Sequence, residues 1–481
     1  MKLSLSATEV KERLKKYLNS DDIIFSEHKI GGRKIFFAFV DSLTDKNLLS
    51  LGVIEPLKSQ KRCPSAQKLA ETLSVANCKI LPTEEDCITE ILAGKTVMII
   101  DRSPAALSID LTKFESRSVS EPPTSTVVKG PREGFTESLR VNVSLLRRRI
   151  KSSSLKIENF KIGKYSQTDV AVCFIDSIAD DDIVEKIKER LKSISIDGIP
   201  DSSYVAKLIC DRKTSIFKQT GGTEKPDVLS AKLLEGRVGI IVDGSPIVIT
   251  APYVLLEDFQ ASEDYYQNNY RSNMARVLRL VSLIIAVLLP AAFVSAQLFH
   301  LQVIPLNFLL TIVNSIKGIP LSPSYEMFFT LLIFEILNEA SVRMPKYVGM
   351  ALSIVGALVL GDTAVRAGIV STPTILIMAL SGICLYTVPE LVDSMSFLRL
   401  LYLLVAGSTG AYGIVLLTVF LAFYLCSAEN FDTPFLAPFA PMVKEDFKDG
   451  FYMTFIPNML NRPLSLKPKN KVRMKKNERI Q

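Results

Sequence analysis

The chain has 481 residues, 48% of them hydrophobic, with 57 Lys and Arg against 50 Asp and Glu and a net charge of +7. At roughly 100–200 residues per domain this length predicts two to four domains. The charge is concentrated at one end, where Lys444–Gln481 holds ten basic residues against four acidic ones, so it marks a tail beside a membrane and does not describe a nucleic-acid-binding domain. Hydrophobicity is just as uneven. Residues up to about Leu256 have a soluble composition, whereas Val277–Cys426 is mostly apolar.

The first 22 residues are amphipathic and charged, unlike a secretory signal. The cysteines (63, 78, 87, 173, 210, 384 and 426) are scattered and form no CxxC pair, which places the soluble part in a reducing compartment without disulfides. With His28 and His300 as the only histidines, no metal site and no cofactor are expected.

Two motifs recur in order before the apolar region. Phe39-Val-Asp41-Ser-Leu-Thr-Asp45 matches Phe174-Ile-Asp176-Ser-Ile-Ala-Asp180 at an offset of 135. Leu92-Ala-Gly-Lys-Thr-Val-Met-Ile-Ile-Asp101-Arg-Ser-Pro104 matches Leu234–Pro246 at an offset of 142 without a gap. Residues of about 20–115 and 155–255 are therefore read as two copies of one unit. Within each copy, Lys34–Val40 and Val170–Ile175 are β-rich runs and predict strands. Ile183, Ile187 and Leu191 have helical spacing after Asp181 and Asp182, which predicts a helix over Ile183–Ile194. Val97–Ile100 with Ala105–Ile109, and Val238–Val242 with Ile247–Thr250, predict hairpins around Asp-Xaa-Ser-Pro turns. The turns explain Asp101 and Asp243 without catalysis.

The expected architecture is a duplicated, two-lobed α/β cytosolic domain followed by a polytopic α-helical membrane domain. Its boundaries are lobe 1 over 1–120, a linker and basic helix over 121–152, lobe 2 over 153–258, membrane helices over 270–427 and a basic cytosolic tail over 428–481. Between the lobes, Leu139, Val143, Leu146 and Ile150 predict a helix whose other faces carry Arg140, Arg147, Arg148 and Arg149. The preceding Gly-Pro-Arg-Glu-Gly lacks the Lys-Ser/Thr of a phosphate-binding loop.

In the apolar region Val277–Phe299 is long enough to span a hydrocarbon core of about 30 Å. Arg271, Arg276 and Arg279 before it place its start in the cytosol. Further apolar segments are Val303–Ile316, Tyr325–Val342, Tyr347–Val370, Pro373–Val388 and Phe397–Cys426, with Arg343, Lys346 and Arg399 read as marking cytosolic loops. Four to six crossings are expected, with at least one irregular segment. Glu335, Asn338 and Glu339 share one helix face, and Asp362 and Arg366 lie on another helix. Ionisable residues at such depth default to a functional reading, here a candidate ion pathway. Glu339 with Arg343 and Asp362 with Arg366 are also spaced for pairing within their helices, whereas Glu335 has no basic residue so placed. Gly349, Ser353, Ala357 and Gly361 recur every four residues and suit close helix packing.

Three stretches together resemble the A-subunit family of bacterial spore germination receptors, the GerA type. They are Gly130-Pro131-Arg132-Glu133-Gly134-Phe135…Arg140…Arg147-Arg148, Phe334-Glu335-Ile-Leu-Asn338-Glu339-Ala-Ser-Val-Arg343-Met-Pro345, and Ile354-Val-Gly356…Gly361-Asp362-Thr-Ala-Val365. Arg462-Pro463 and the basic end fit as well. The resemblance implies a multi-pass protein of the spore inner membrane, acting with a transporter-like B subunit and a lipoprotein C subunit. It also implies that the chain oligomerises and passes monovalent cations when a germinant is sensed. The competing readings are a secondary transporter and a membrane scaffold subunit without permeation. An enzyme is not expected, because no nucleophile–base pair stands out.

Overall fold

The computed structural model describes residues 3–59, 66, 69, 77–113, 127–345, 348, 356 and 359–474. Two compact units divide the chain. The first comprises Met1–Tyr253 with Asn430–Thr433 and Phe455–Gln481, and the second Val254–Glu429 with Pro434–Thr454.

The first unit contains two sheets. Lobe 1 has β1 (Ile23–Ile30), β2 (Arg33–Val40), β3 (Cys78–Leu81), β4 (Thr96–Ile100) and β5 (Ala106–Ile109), in the order β1-β2-β4-β5-β3. Lobe 2 has β6 (Leu155–Ile162), β7 (Thr168–Ile175), β8 (Gly221–Thr223), β9 (Val238–Val242) and β10 (Val248–Ala251), in the order β6-β7-β9-β10-β8. All these pairings are antiparallel. The order is the same in both lobes, so the repeated motifs belong to repeated folds. The first hairpin differs in length between the two lobes. β1 and β2 turn through Gly31-Gly32, both at positive φ, which a tight two-residue hairpin requires. β6 and β7 instead turn through residues 163–167, three residues longer.

Strands β4 and β9 are buried along their whole length, which suits unbroken apolar runs such as Val97–Ile100 and Val238–Val242. Helices Ala7–Leu18 and Glu84–Leu92 cover one face of the first sheet. Leu139–Arg149 and Pro226–Glu235 cover the matching face of the second, whose other face takes Asp181–Ser193 and Ser202–Ile209. The basic helix was read from sequence as a linker element. The structure makes it the head helix of lobe 2, equivalent to Ala7–Leu18 in lobe 1. The Asp-Xaa-Ser-Pro turns confirm the equivalence. Asp101 Oδ1 accepts from Ala7 N (3.3 Å), and Asp243 Oδ1 accepts from Leu139 N (2.9 Å). Each carboxylate satisfies an orphan amide at the start of its own head helix.

The C-terminal segment is no loose basic tail over its described length, because residues 455–474 belong to the first unit. Lys469 N donates to Ile178 O (2.9 Å), as Lys113 N donates to Leu43 O (3.0 Å) in lobe 1. Pro468 packs on Gly236 as Thr112 packs on Gly94. The chain returning from the helical unit thus completes lobe 2 where lobe 1 uses its own residues 112–113.

The second unit is helical, with Asn269–Phe299, Leu306–Ile316, Pro323–Arg343, Thr372–Leu385 and Val392–Ser427. Asn269–Phe299 and Pro389–Ser427 are long and apolar enough to cross a membrane. Leu306–Ile316, with 11 residues, reaches only about 16 Å at 1.5 Å per residue, short of a bilayer core. Val392–Ser427 breaks at Gly410, whose φ of 68° and ψ of −147° suit glycine, and an added Cβ there would meet Phe299 Cδ2 at 2.8 Å. Of the segment expected over Tyr347–Val370, only parts are described, including a π-turn over Val359–Thr363.

Candidate functional site

Two groups of charged residues stand out, one in each unit. In the first unit, β1 is preceded by Ser20–Asp22, which reach across to lobe 2. Asp21 N donates to Ile157 O (2.9 Å), and Ile157 N donates to Ser20 Oγ (3.0 Å). Arg147 closes this junction. Its fully buried guanidinium donates to both oxygens of Asp22 (2.7 Å each), to Ser20 Oγ (3.0 Å) and to Ser152 O (3.3 Å). Arg140 donates to Asp41 O (2.6 Å). Lys156 Nζ donates to Leu18 O (2.8 Å), a carbonyl at the end of the first helix.

The rest of the Gly130–Arg149 motif is built around these contacts. Phe135 is buried and its N donates to Glu224 O (2.7 Å). Asn142, fully buried, accepts from Thr136 N (2.8 Å) and donates to Thr136 O (2.6 Å), fixing the entry to the helix. Glu133 pairs with Arg148 (3.4 Å) and Arg149 (3.0 Å). Pro131 is half-buried, Gly134 buried and Arg132 exposed. The sequence showed that these residues go together; it gave no sign that Arg147 would be buried against Asp22.

In the second unit the central feature is an ion pair between helices. Arg399 donates through Nη2 to Glu335 Oε1 at 2.5 Å, with the Arg side chain fully buried and the Glu side chain one-third exposed. Its Nη1 donates to Ser381 Oγ (3.1 Å), which donates to Ala286 O (2.7 Å). The Phe334 ring lies 5.7 Å from the guanidinium. Arg399 was expected to mark a loop. It lies within the helix Val392–Ser427 instead and supplies the partner that Glu335 lacks on its own helix. A lone Arg beside an apolar run gives the same topological signal in either position, so only the packing distinguishes them.

The other expected pathway residues are arranged differently. Glu339 pairs with Arg343 (2.5 Å) and Asp362 with Arg366 (2.6 Å), all four exposed on this chain. Asn338 is half-buried. Of the small-residue ladder, Gly349, Ser353 and Ala357 lie outside the described residues, and a Cβ on Gly361 would touch nothing within 4 Å among the described residues. Gly356 is buried, and a Cβ there would meet Leu337 Cδ1 at 3.2 Å.

Two further clusters were not read from the sequence. Glu326, in the first turn of Pro323–Arg343 and 1% exposed, accepts from Ser371 N and Ser371 Oγ (both 2.7 Å), the N-cap residue of Thr372–Leu385. Arg276, taken as a topological marker, is fully buried and bonds Asp264 (3.1 Å), Asp449 (2.9 Å) and Gly450 O (2.7 Å). Arg279 also pairs with Asp264 (2.8 Å). The two carboxylate partners of Arg276, Asp264 and Asp449, lie in polar stretches on either side of the apolar region, too far apart in sequence for any spacing rule.

A duplicated α/β unit joined to an apolar helical unit with buried inter-helix ion pairs defines a two-part protein suited to membrane association. Comparison with known proteins narrows this class. Residues 8–465 match the family described as Bacillus/Clostridium GerA spore germination protein. The chain is 35% identical to spore germination protein KA of Bacillus subtilis (strain 168), over 98% of this chain and 89% of that protein. It is 33% identical to spore germination protein GerLA of Bacillus cereus, over 96% of each chain. A crystal structure of the N-terminal domain of the A subunit of the Bacillus megaterium spore germinant receptor GerK3 aligns with 53% of this chain and 98% of that one, at 28% identity and a TM-score of 0.42. The chain belongs to the GerA spore germination protein family.

Proposed function

We propose that the chain is the A subunit of a nutrient germinant receptor and crosses the spore inner membrane several times, with its two lobes and C-terminal segment in the cytosol. It acts beside a transporter-like B subunit and a lipoprotein C subunit. Several copies surround an axis and release monovalent cations when a germinant is sensed. The relatives called spore germination proteins support the biological role. The many exposed apolar side chains of the helical unit, such as Val415, Val419, Phe420 and Phe423, support surroundings of lipid or of other copies.

The observation that carries the permeation reading is the Arg399–Glu335 pair. A fully buried guanidinium is costly and needs its carboxylate. Closed, the pair is neutral and holds two helices together. Opened, it leaves Glu335, already one-third exposed, to attract a cation.

The test is cation release from spores carrying Glu335→Gln with Arg399→Gln, with protein level and assembly measured in parallel. Glu335→Gln alone would leave a buried unpaired Arg, at about 3–5 kcal/mol, and would confound permeation with folding. The double variant keeps a similar shape without the charges. Slowed release or altered ion selectivity in an assembled receptor is expected. Normal release would remove the pair from the pathway and favour a scaffold role.

A further inference from the structure

The helix Asn269–Phe299 begins with its polar side turned inward. Ser272 is buried and its Oγ donates to Asp264 O (2.7 Å), while Arg276 and Arg279 are taken up by Asp264 and Asp449. The outward side is apolar. Tyr270, Met274, Val277, Leu278, Val281 and Ile284 are exposed on this chain and follow one another at the three- and four-residue spacings of a single helix face. The face starts at Tyr270, 77% exposed, well before the uncharged run that follows Arg279.

A second segment is fixed at the same level. Asn273 Nδ2 donates to Met453 O (3.1 Å), and Asn273 Oδ1 accepts from Met453 N (2.6 Å), across 180 positions of the chain. Tyr265 Oη donates to Asp449 Oδ2 (2.8 Å). The stretch 442–453 is thereby held beside the first turns of the helix. Phe439 packs on Phe451 (4.9 Å) and Phe447 (5.0 Å) behind it, whereas Met442 and Tyr452, the latter 61% exposed, face outward. Arg271, Lys444 and Lys448 are exposed as well. Against them stands the exposed Glu445, and the helix itself has no acidic residue.

We propose that the start of this helix and the stretch 442–453 form a collar seated in the headgroup layer of the membrane, with Tyr270, Met274 and Tyr452 among the headgroups and Arg271, Lys444 and Lys448 drawing anionic phospholipids. The proposal rests on the reading of the helix as a membrane span. It moves 442–453 from a cytosolic tail to the membrane surface. Helix geometry sets the depth. At 1.5 Å per residue Met274 lies about 4.5 Å and Tyr270 about 10 Å before Val277. The polar layer on each side of the hydrocarbon core is roughly 5–8 Å thick. Met274 and Asn273, and with Asn273 the neighbouring Tyr452, fall inside that layer, and Tyr270 lies at its outer edge. Tyrosine suits this depth, because its ring is apolar and its hydroxyl wet. A partner helix calls for a narrow seam of two residues in seven, and Leu278 beside Val277 makes this face broader than that. Because Arg276 and Arg279 are satisfied within the protein, the attraction to anionic lipid falls to the three exposed cations.

The chain has no tryptophan, so Tyr270→Trp, Tyr452→Trp, Ile284→Trp and Tyr165→Trp each introduce a single fluorescent reporter. Each full-length variant is reconstituted in nanodiscs of phosphatidylcholine and phosphatidylserine, and quenching by a nitroxide on the headgroup is compared with quenching by one at the centre of the acyl chain. Tyr165, 75% exposed in the turn between β6 and β7, is the aqueous reference. Tyr270→Trp and Tyr452→Trp are expected to be quenched at least twofold more than Tyr165→Trp by the headgroup label, and less by the chain label. The label on phosphatidylserine should quench them more than the label on phosphatidylcholine, and Arg271→Gln with Lys444→Gln and Lys448→Gln should abolish that difference. Quenching no greater than in Tyr165→Trp overturns the collar, and a blue-shifted emission without quenching would give the face to a second copy instead. Equal quenching from the two lipids overturns the anionic partner. Ile284→Trp separates the two readings. If the chain label leaves it unquenched, the helix is no membrane span and both readings fall; if it is quenched and the collar positions are not, the collar alone falls.

Discussion

Replacing Arg147 with Met tests whether the basic helix fastens the two lobes. In the folded protein its side chain is fully buried, Asp22 is 6% exposed, and two 2.7 Å bonds join them. Ser20 Oγ and Ser152 O accept two more bonds. Removing the guanidinium leaves a buried carboxylate without its counter-charge, which costs about 3–5 kcal/mol. That is a large share of the roughly 5–15 kcal/mol that stabilises a typical domain. It corresponds to a factor of about 10²–10⁴ in opening, at about 1.4 kcal/mol per tenfold. Arg147→Met with Asp22→Leu removes both charges and is expected to cost far less than either single change, because an apolar pair of similar volume avoids desolvation. The assay is the labelling rate of Cys173, buried in the lobe 2 core, which reports the opening free energy of the full-length protein. A cost below about 1 kcal/mol for Arg147→Met, or a double variant as unstable as the two single changes added together, would refute the reasoning.

Two further outcomes are expected. Burial pushes the thiols of Cys87 and Cys173 up to about 12, with Asp86 and Glu84 adding to the effect at Cys87 and Asp22 at Cys173. The neutral thiol therefore prevails across the working range, and wherever these thiols are reached in the folded protein their labelling should rise about tenfold per unit from pH 7 to 10, whereas an ordinary thiol levels off near its pKa of about 8.5. A plateau near pH 9, followed by mass spectrometry, would show that labelling proceeds from an opened state in which the thiols are ordinary. In the C-terminal segment, Arg462 is 9% exposed and donates to Leu234 O (2.7 Å) at the end of a helix, so Arg462→Met should destabilise lobe 2 by about 1.5–3 kcal/mol. Lys469→Met removes a more exposed contact and should cost below about 1 kcal/mol. Both should speed labelling of Cys173 and leave Cys87 unchanged; equal effects on the two cysteines would deny the segment a place in lobe 2.

Much of the fold is legible in the sequence because its signals are local. The apolar runs of β4 and β9, the helical spacing of Ile183, Ile187 and Leu191, and the matched Asp-Xaa-Ser-Pro turns are short-range patterns, and each corresponds to an element in place. Glu339 with Arg343 and Asp362 with Arg366 were equally readable, since i,i+4 pairs follow from helix geometry alone. The burial of Arg147, Arg276 and Arg399 was not. A basic side chain gives the same sequence signal on a solvated face, at a membrane edge or inside a helical unit, and its partner can lie far along the chain, as Asp22 and Asp449 do. The same limit hid the return of Lys469 to Ile178 across 291 positions. By itself, the sequence determined the duplication, the division into polar and apolar parts and the motifs that place the chain in its family, because composition, period and spacing are local. Only the tertiary structure decided which charges are buried and which carboxylates receive them, because desolvation and pairing depend on packing between segments that are remote in sequence.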